Sequence, residues 1–464
     1  GFLDIQAGNK ANLGSEGVVA VNHITASGEV RVKSKAGIVD GRSDTSQVNI
    51  TGGDIILEGG TGGIGAGANG ASTMKPIEII LNGTQALIAR ASNDIYIVSR
   101  SDLRLAEVFS AGGVVDLRSR QSILDGYGDA SLLADKPNYK IKANSIYLQA
   151  DAGIGTSTNF VETEVNVAIN ALANGNVFIH EISPHAMHVA RVESQTGDVS
   201  LWAEASIQNT KNGALSMVPD IVATHITLRS EAGNIGATSG DLIVETRKLG
   251  GVQGTLTSYS GFNTYVTATG DLYLNTVATP AGTAFIGAPA GRILNGNATP
   301  GGTNVISGKT RLFATGDIGE SGNQISTRVG FIEGLSTTGA AYVTNTGLMT
   351  IGGVTGAGTG MQAHGEVVIT TMSPMIVAAG IVSDNDIVLT AHDDADDLDT
   401  LTVNAGITLD SKTRVVLDAG DHLVVNATAV VKAPRIEIHV DDTSADSGHG
   451  TAELYGTLNA NSVD

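Results

Sequence analysis

The chain has 464 residues, no cysteine, 60 glycines, 9 prolines, 4% aromatic residues and a formal net charge of −20. A chain this long can bury a core without disulfide staples. Its acidity argues against nucleic acid, which is bound through Lys and Arg, and against anionic membrane surfaces. Its glycine content lies above the usual ~7% but far below collagen, and no run of ~20 apolar residues could span a bilayer as a helix.

Helical periodicity is almost absent. The best helical candidate, Val161–Leu172, is β-branched and alternates as well as it spirals. A short strand module recurs instead, in which a turn pair precedes apolar-x-apolar. In chain order it appears as Gly53-Asp54-Ile55-Ile56-Leu57, Asn93-Asp94-Ile95-Tyr96-Ile97, Gly113-Val114-Val115-Asp116-Leu117 and Gly175-Asn176-Val177-Phe178-Ile179. It continues as Gly197-Asp198-Val199, Gly270-Asp271-Leu272, Gly365-Glu366-Val367 and Asn385-Asp386-Ile387. Gly, Asn and Asp tolerate positive φ, which suggests a corner, and apolar residues two apart face one side of a strand.

A second corner and another Ile follow several modules. Examples are Ala36-Gly37-Ile38, Ser122-Ile123, Ala152-Gly153-Ile154-Gly155, Ala232-Gly233-Asn234-Ile235-Gly236 and Gly316-Asp317-Ile318-Gly319. The last three sit 80 and 83 residues apart, although the modules as a whole keep no single interval. Strand, corner and short strand describe one coil of a β-solenoid. A lone coil cannot bury its inner face, so stacked coils build the core. At ~20–25 residues per coil the chain makes about 20 irregular coils, a rod roughly 100 Å long at the strand spacing of ~4.8 Å. The expected fold is all-β, a right-handed parallel β-helix. Residues 1–360 carry longer loops, such as Gly59–Ser72 and Pro280–Gly302, and residues 361–464 read as more regular coils. Neither terminus shows a cap, so the chain reads as a segment of something longer.

Ile146–Thr156 (IYLQADAGIGT), Gly197–Ile207 (GDVSLWAEASI), Ile226–Gly236 (ITLRSEAGNIG) and Val415–Asp442 resemble the filamentous-haemagglutinin-like exoproteins. The last segment is also similar to very large repeat-rich bacterial surface proteins. The resemblance covers most of the chain, more clearly after about residue 100, and concerns strand-and-corner style. It implies a parallel β-helix, an extracellular or cell-surface location, and a role in adhesion or in a fibre.

Two acidic clusters are candidate metal sites. Asp393, Asp394, Asp396, Asp397 and Asp399 place five carboxylates in seven positions, and Asp441, Asp442 and Asp446 form the second cluster. Hard oxygen ligands suit Ca²⁺ as a cofactor, but neither cluster matches an EF-hand or the Ca²⁺-binding nonapeptide repeat. A solvated acidic loop is the alternative. His180, His185 and His188 look metal-like, but their spacing and Pro184 oppose the helical zincin arrangement. Gly65–Gly70 matches G-x-G-x-x-G without a following helix, and Ser307-Gly308-Lys309-Thr310 lacks the first glycine of a phosphate loop.

The function expected is non-enzymatic: an adhesin stalk or extracellular fibre of a large secreted bacterial surface protein. Its partners would be a host or neighbouring-cell surface, or other copies in a homo-polymer. Nucleic acid and membrane insertion are not expected. The alternatives are a self-assembling filament subunit and a carbohydrate-active β-helix enzyme. The enzyme would need two carboxylates facing one sugar bond, and Trp202 is the single tryptophan available as a platform.

Overall fold

The computed structural model describes residues 3–42, 47–65, 75–127, 138–211, 217–297, 301–356, 358–392, 399–441 and 450–464. Among the described residues there is no helix; the structure is 61% strand and stacks one all-parallel sheet into a β-solenoid of about 18 turns. The helical candidate is strand Val161–Ala173. The chain forms two compact units: Gly1–Ala214 with Asp220–Gly233, and Leu215–Pro219 with Asn234–Asp464.

In the first unit, successive strands alternate between two pairing rows. Val30 pairs with Ile55, Ile55 with Leu87 and Leu87 with Leu105 along one row. Val115 pairs with Ile146, Ile146 with Ile169 and Ile169 with Val189 along the other. In-register stacking puts like residues above like. Ile38, Ile64, Ile95 and Val115 form one inward column, and every member but Val115 is an isoleucine with no solvent exposure. Burying each such side chain contributes about 1.5–3 kcal/mol. Branched aliphatic chains fill the interior because each column needs a shape that stacks on a copy of itself at the strand spacing.

The second unit begins with the same two-row pattern and then changes. Met349–Ile351 and Thr359–Ala363 both pair with Ile325–Ser336, and from there each turn carries three strands. Val367, Ile387, Val415 and Ile436 stack directly on one another in these later turns.

The turn pairs form corners for a reason other than the one the sequence suggests. Gly53, Gly113 and Gly197 do not have positive φ. A Cβ at Gly113 would lie 2.6 Å from the Asn93 backbone, and one at Gly53 would lie 3.0 Å from that of Gly28. These glycines are required by the close approach of stacked turns. The neighbouring acid ties turns together: Asp54 accepts from the Ala86 N–H, Asp94 from Val114 and Asp317 from Ala340, all at 2.8–2.9 Å. Serines two or three residues before the pair complete the corner. Ser194 Oγ donates to the Gly175 carbonyl at 2.8 Å and accepts from Gly197 N–H at 2.8 Å.

A repeat of about 84 residues becomes visible once the strands are placed. Ile38, Ile123, Ile207 and Ile293 each open a three-residue strand ending in Asp or Asn: Asp40, Asp125, Asn209 and Asn295. Their spacings are 85, 84 and 86 residues. Along the first unit one repeat runs three turns down a row and then crosses to the other row. Equivalent residues in successive copies therefore fall on alternate rows.

Candidate functional site

Each repeat releases its chain from the sheet at two places. At the first, the terminal Asp or Asn accepts the backbone N–H two residues on, from Arg42, Tyr127, Lys211 or Asn297. The strand line then resumes after a buried polar residue: Asn49, Lys140, Asp220 or Asn304. Side chains clamp the two ends. Asn49 Nδ2 donates to Asp40 at 2.6 Å, Lys140 Nζ lies 3.5 Å from Asp125, and Asn304 Nδ2 donates to Asn295 at 2.9 Å. The intervening segments are 41–48, 126–139, 210–219 and 296–303, so length varies while the stem is kept.

The second release follows Ile64, Ile154, Ile235 and Ile318. The next residue is a glycine with φ of 65° to 73° in all four copies. A Cβ there would lie 2.1–2.5 Å from a backbone oxygen of Tyr96, Phe178, Tyr265 or Tyr342. Only glycine meets both demands. Gly65, which opens the apparent dinucleotide motif, is one of these corners; positions 66–70 lie outside the described residues. Ser307–Thr310 lies within strand Val305–Ala314.

Of the proposed Ca²⁺ ligands, Asp393, Asp394, Asp396, Asp397, Asp442 and Asp446 lie outside the described residues. Asp399 is buried, and its N–H donates to Asp421 Oδ2 at 2.7 Å. Asp441 has φ 53° and accepts from Gly450 N–H at 3.2 Å. Both take part in local backbone hydrogen bonding. Among the described residues no group of three or more His, Cys, Asp or Glu could hold a metal ion.

The three histidines are also apart in role. The His180 ring stacks on Trp202 at 3.9 Å, with Nε2 3.0 Å from Glu204, while the Arg229 guanidinium lies 4.9 Å from the centroid of the indole. Phe160 meets Trp202 edge-on. His188 sits in strand Met187–Ser194, and His185 N–H donates to Ser183 Oγ. Trp202 thus packs between His180 and Arg229 of the neighbouring turns.

Several acids are buried, and two places among them bear on a carboxylate pair or a shifted proton. Asp125 and Glu162 flank Lys140 Nζ at 3.5 and 3.3 Å, and all three are at most 6% exposed. No sugar could reach between these two carboxylates. Glu181 has no solvent exposure and accepts from Thr163 Oγ1 at 2.8 Å and from Val165 N–H at 3.1 Å. Burial pushes its carboxyl up to about 7, against the pull of those hydrogen bonds.

Two grooves open on outward sheet faces, at equivalent places in the second and fourth copies. In the second unit, a groove of about 280 Å³ is lined by Asp241, Thr267, Phe285, Gly287, Arg311 and Phe313, with Leu335 at one end. Gly287 lies between Thr267 and Phe313 on neighbouring strands. Phe285 stacks on Tyr265 at 5.0 Å with the rings 10° apart. In the first unit, a groove of about 170 Å³ is lined by Asp116, Arg118, Tyr147, Gln149, Asn170 and Leu172. Asp116 and Arg118 stand where the fourth copy has Phe285 and Gly287; Gln149 stands where it has Phe313.

Sequence reading anticipates most strands and corners, but it takes Pro280–Gly302 as a loop where the chain continues strand Leu272–Ala288 and then forms strand Ile293–Asn295, and it misses the clamped stems and the grooves. The stem signal is present as Ile-x-Asp/Asn returning every 84–86 residues. The grooves have no such signal, because their walls come from strands 20 or more residues apart. Among the described residues, no helix is long and apolar enough to cross a membrane. No protein-family model, curated protein or solved structure matches this chain.

Proposed function

We propose that the chain is a non-enzymatic structural segment of a large secreted bacterial surface protein, serving as an adhesin stalk or extracellular fibre. The observation that carries this reading is the clamped stem. The same backbone exit recurs in four copies around segments of different length, which is how a scaffold presents variable loops from a constant frame. The interior supports it, because stacked Ile, Val and Leu columns let a solenoid lengthen by adding copies without redesigning its core. Absence of cysteine suits export as an unfolded chain, and the net charge of −20 opposes self-aggregation.

The test is antibody labelling of the bacterium that encodes the chain, using serum raised against residues 1–464. Labelling of intact cells that is removed by external protease is the expected result. Labelling that requires permeabilised cells would overturn the surface assignment.

A further inference from the structure

We infer that the groove around Gly287 in the second unit is a binding site for a neutral sugar ring of a glycan chain. The inference goes beyond the stalk reading and does not depend on it, since a glycan site could serve a protein in any location.

The fourth copy departs from the other three at one outward position. Copies one to three place Lys33, Arg118 and Trp202, long side chains, at the outward position equivalent to Gly287. The fourth copy has glycine, and the floor of the groove is bare backbone. A Cβ at Gly287 would lie 2.9 Å from Thr267 Oγ1, so a side chain there would have to displace the threonine hydroxyl that lines the slot. The missing side chain leaves the Phe313 ring beside an open slot, with Phe285 on the adjoining column.

The lining has the chemistry of sugar recognition. A pyranose presents an apolar face of C–H groups and a rim of hydroxyls. Phe313 and Phe285 offer the apolar walls, and Leu335 closes one end. The rim meets Asp241, whose Oδ2 accepts from Thr267 Oγ1 at 2.6 Å, and the exposed guanidinium of Arg311. A carboxylate accepts and a guanidinium donates, and the several hydroxyls of a sugar ring can do both. One charge of each sign in the lining, on a chain of net charge −20, favours a neutral ligand over an anionic one. A peptide added as an extra strand is disfavoured, because the wall strands are paired on both sides and offer no free edge. The equivalent groove in the first unit carries Tyr147, Gln149 and Asn170, groups that also both donate and accept.

The test is isothermal titration of the whole chain with cellohexaose, maltohexaose and laminarihexaose, and with hexagalacturonate as the anionic counterpart. The variants are Gly287→Leu, which fills the slot, and Phe313→Ala, which removes a half-buried wall. Melting temperatures check that each variant is folded. Binding of at least one neutral hexasaccharide is expected, weakened roughly tenfold or more in Phe313→Ala and abolished in Gly287→Leu. Absence of binding by all three neutral sugars would overturn the inference. So would binding unchanged in Phe313→Ala, or equal binding of hexagalacturonate. Surface labelling of cells is read separately, so either proposal can fail alone.

Discussion

The second and fourth copies of the repeat hold one backbone around two chemistries. At the loop stem, the second copy has Asp125, Lys140 and Glu162, and the fourth has Asn295, Asn304 and Ser326. In both, the stem residue donates its N–H to the strand below at 2.8 Å. At the next inward corner the second copy has Glu181 and the fourth has Asn345. Glu181 receives Thr163 Oγ1 and Val165 N–H; Asn345 receives Thr327 Oγ1 and Val329 N–H, at 2.8 and 2.9 Å. Stacked turns dictate where donors converge, and any side chain that accepts there will serve. Charge is therefore free to differ between copies, and what differs with it is the response to mutation and to pH.

The largest separation between the copies is expected at the stem. Lys140→Met leaves Asp125 and Glu162 buried without their cation and should destabilise by about 3–5 kcal/mol. Asn304→Leu leaves only neutral groups unpaired and should cost about 1–3 kcal/mol. Equal losses in chemical denaturation would mean that the stem charges do not contribute as placed.

A smaller, pH-dependent difference is expected at the corner. The Glu181 carboxyl titrates at about 7 when folded, against about 4.5 when unfolded. The folded state therefore holds the proton more tightly, and stability falls as pH rises from about 4.5 to 7, by about 3 kcal/mol. Glu181→Gln keeps the accepting oxygen and cannot ionise. Its stability relative to the parent chain should rise across that window and level off above it. Asn345→Asp should bring the same sensitivity to the fourth copy. A constant difference between Glu181→Gln and parent from pH 4.5 to 8 would contradict the placement.

Strand positions were legible because inward apolar residues recur two apart: Ile95 and Ile97, Val115 and Leu117, Val199 and Leu201 are each buried pairs. The corners were legible too, though Gly53 and Gly113 serve close approach where the sequence suggested positive φ. The repeat was harder to see. One copy contains three turns and a crossing to the other row, and segments such as 126–139 change its internal spacing. A search for one coil length therefore finds none, although Ile38, Ile123, Ile207 and Ile293 keep the longer period. The candidate groove was invisible in the sequence, because Gly287 looks like any other glycine until Thr267 and Phe313 are stacked on either side of it.

The 84-residue period is a structural unit whose ends match. Deleting Val115–Asp198 joins Val114 to Val199 and removes one period, so Val199 takes over the strand position of Val115. The far-UV circular dichroism of the shortened chain should remain that of a β-protein, and its thermal unfolding should remain cooperative. A deletion ending at Ser183 joins mismatched positions and should fail on both counts. If the in-register deletion unfolds as readily as the mismatched one, the repeat is a sequence coincidence and the account of the scaffold is wrong.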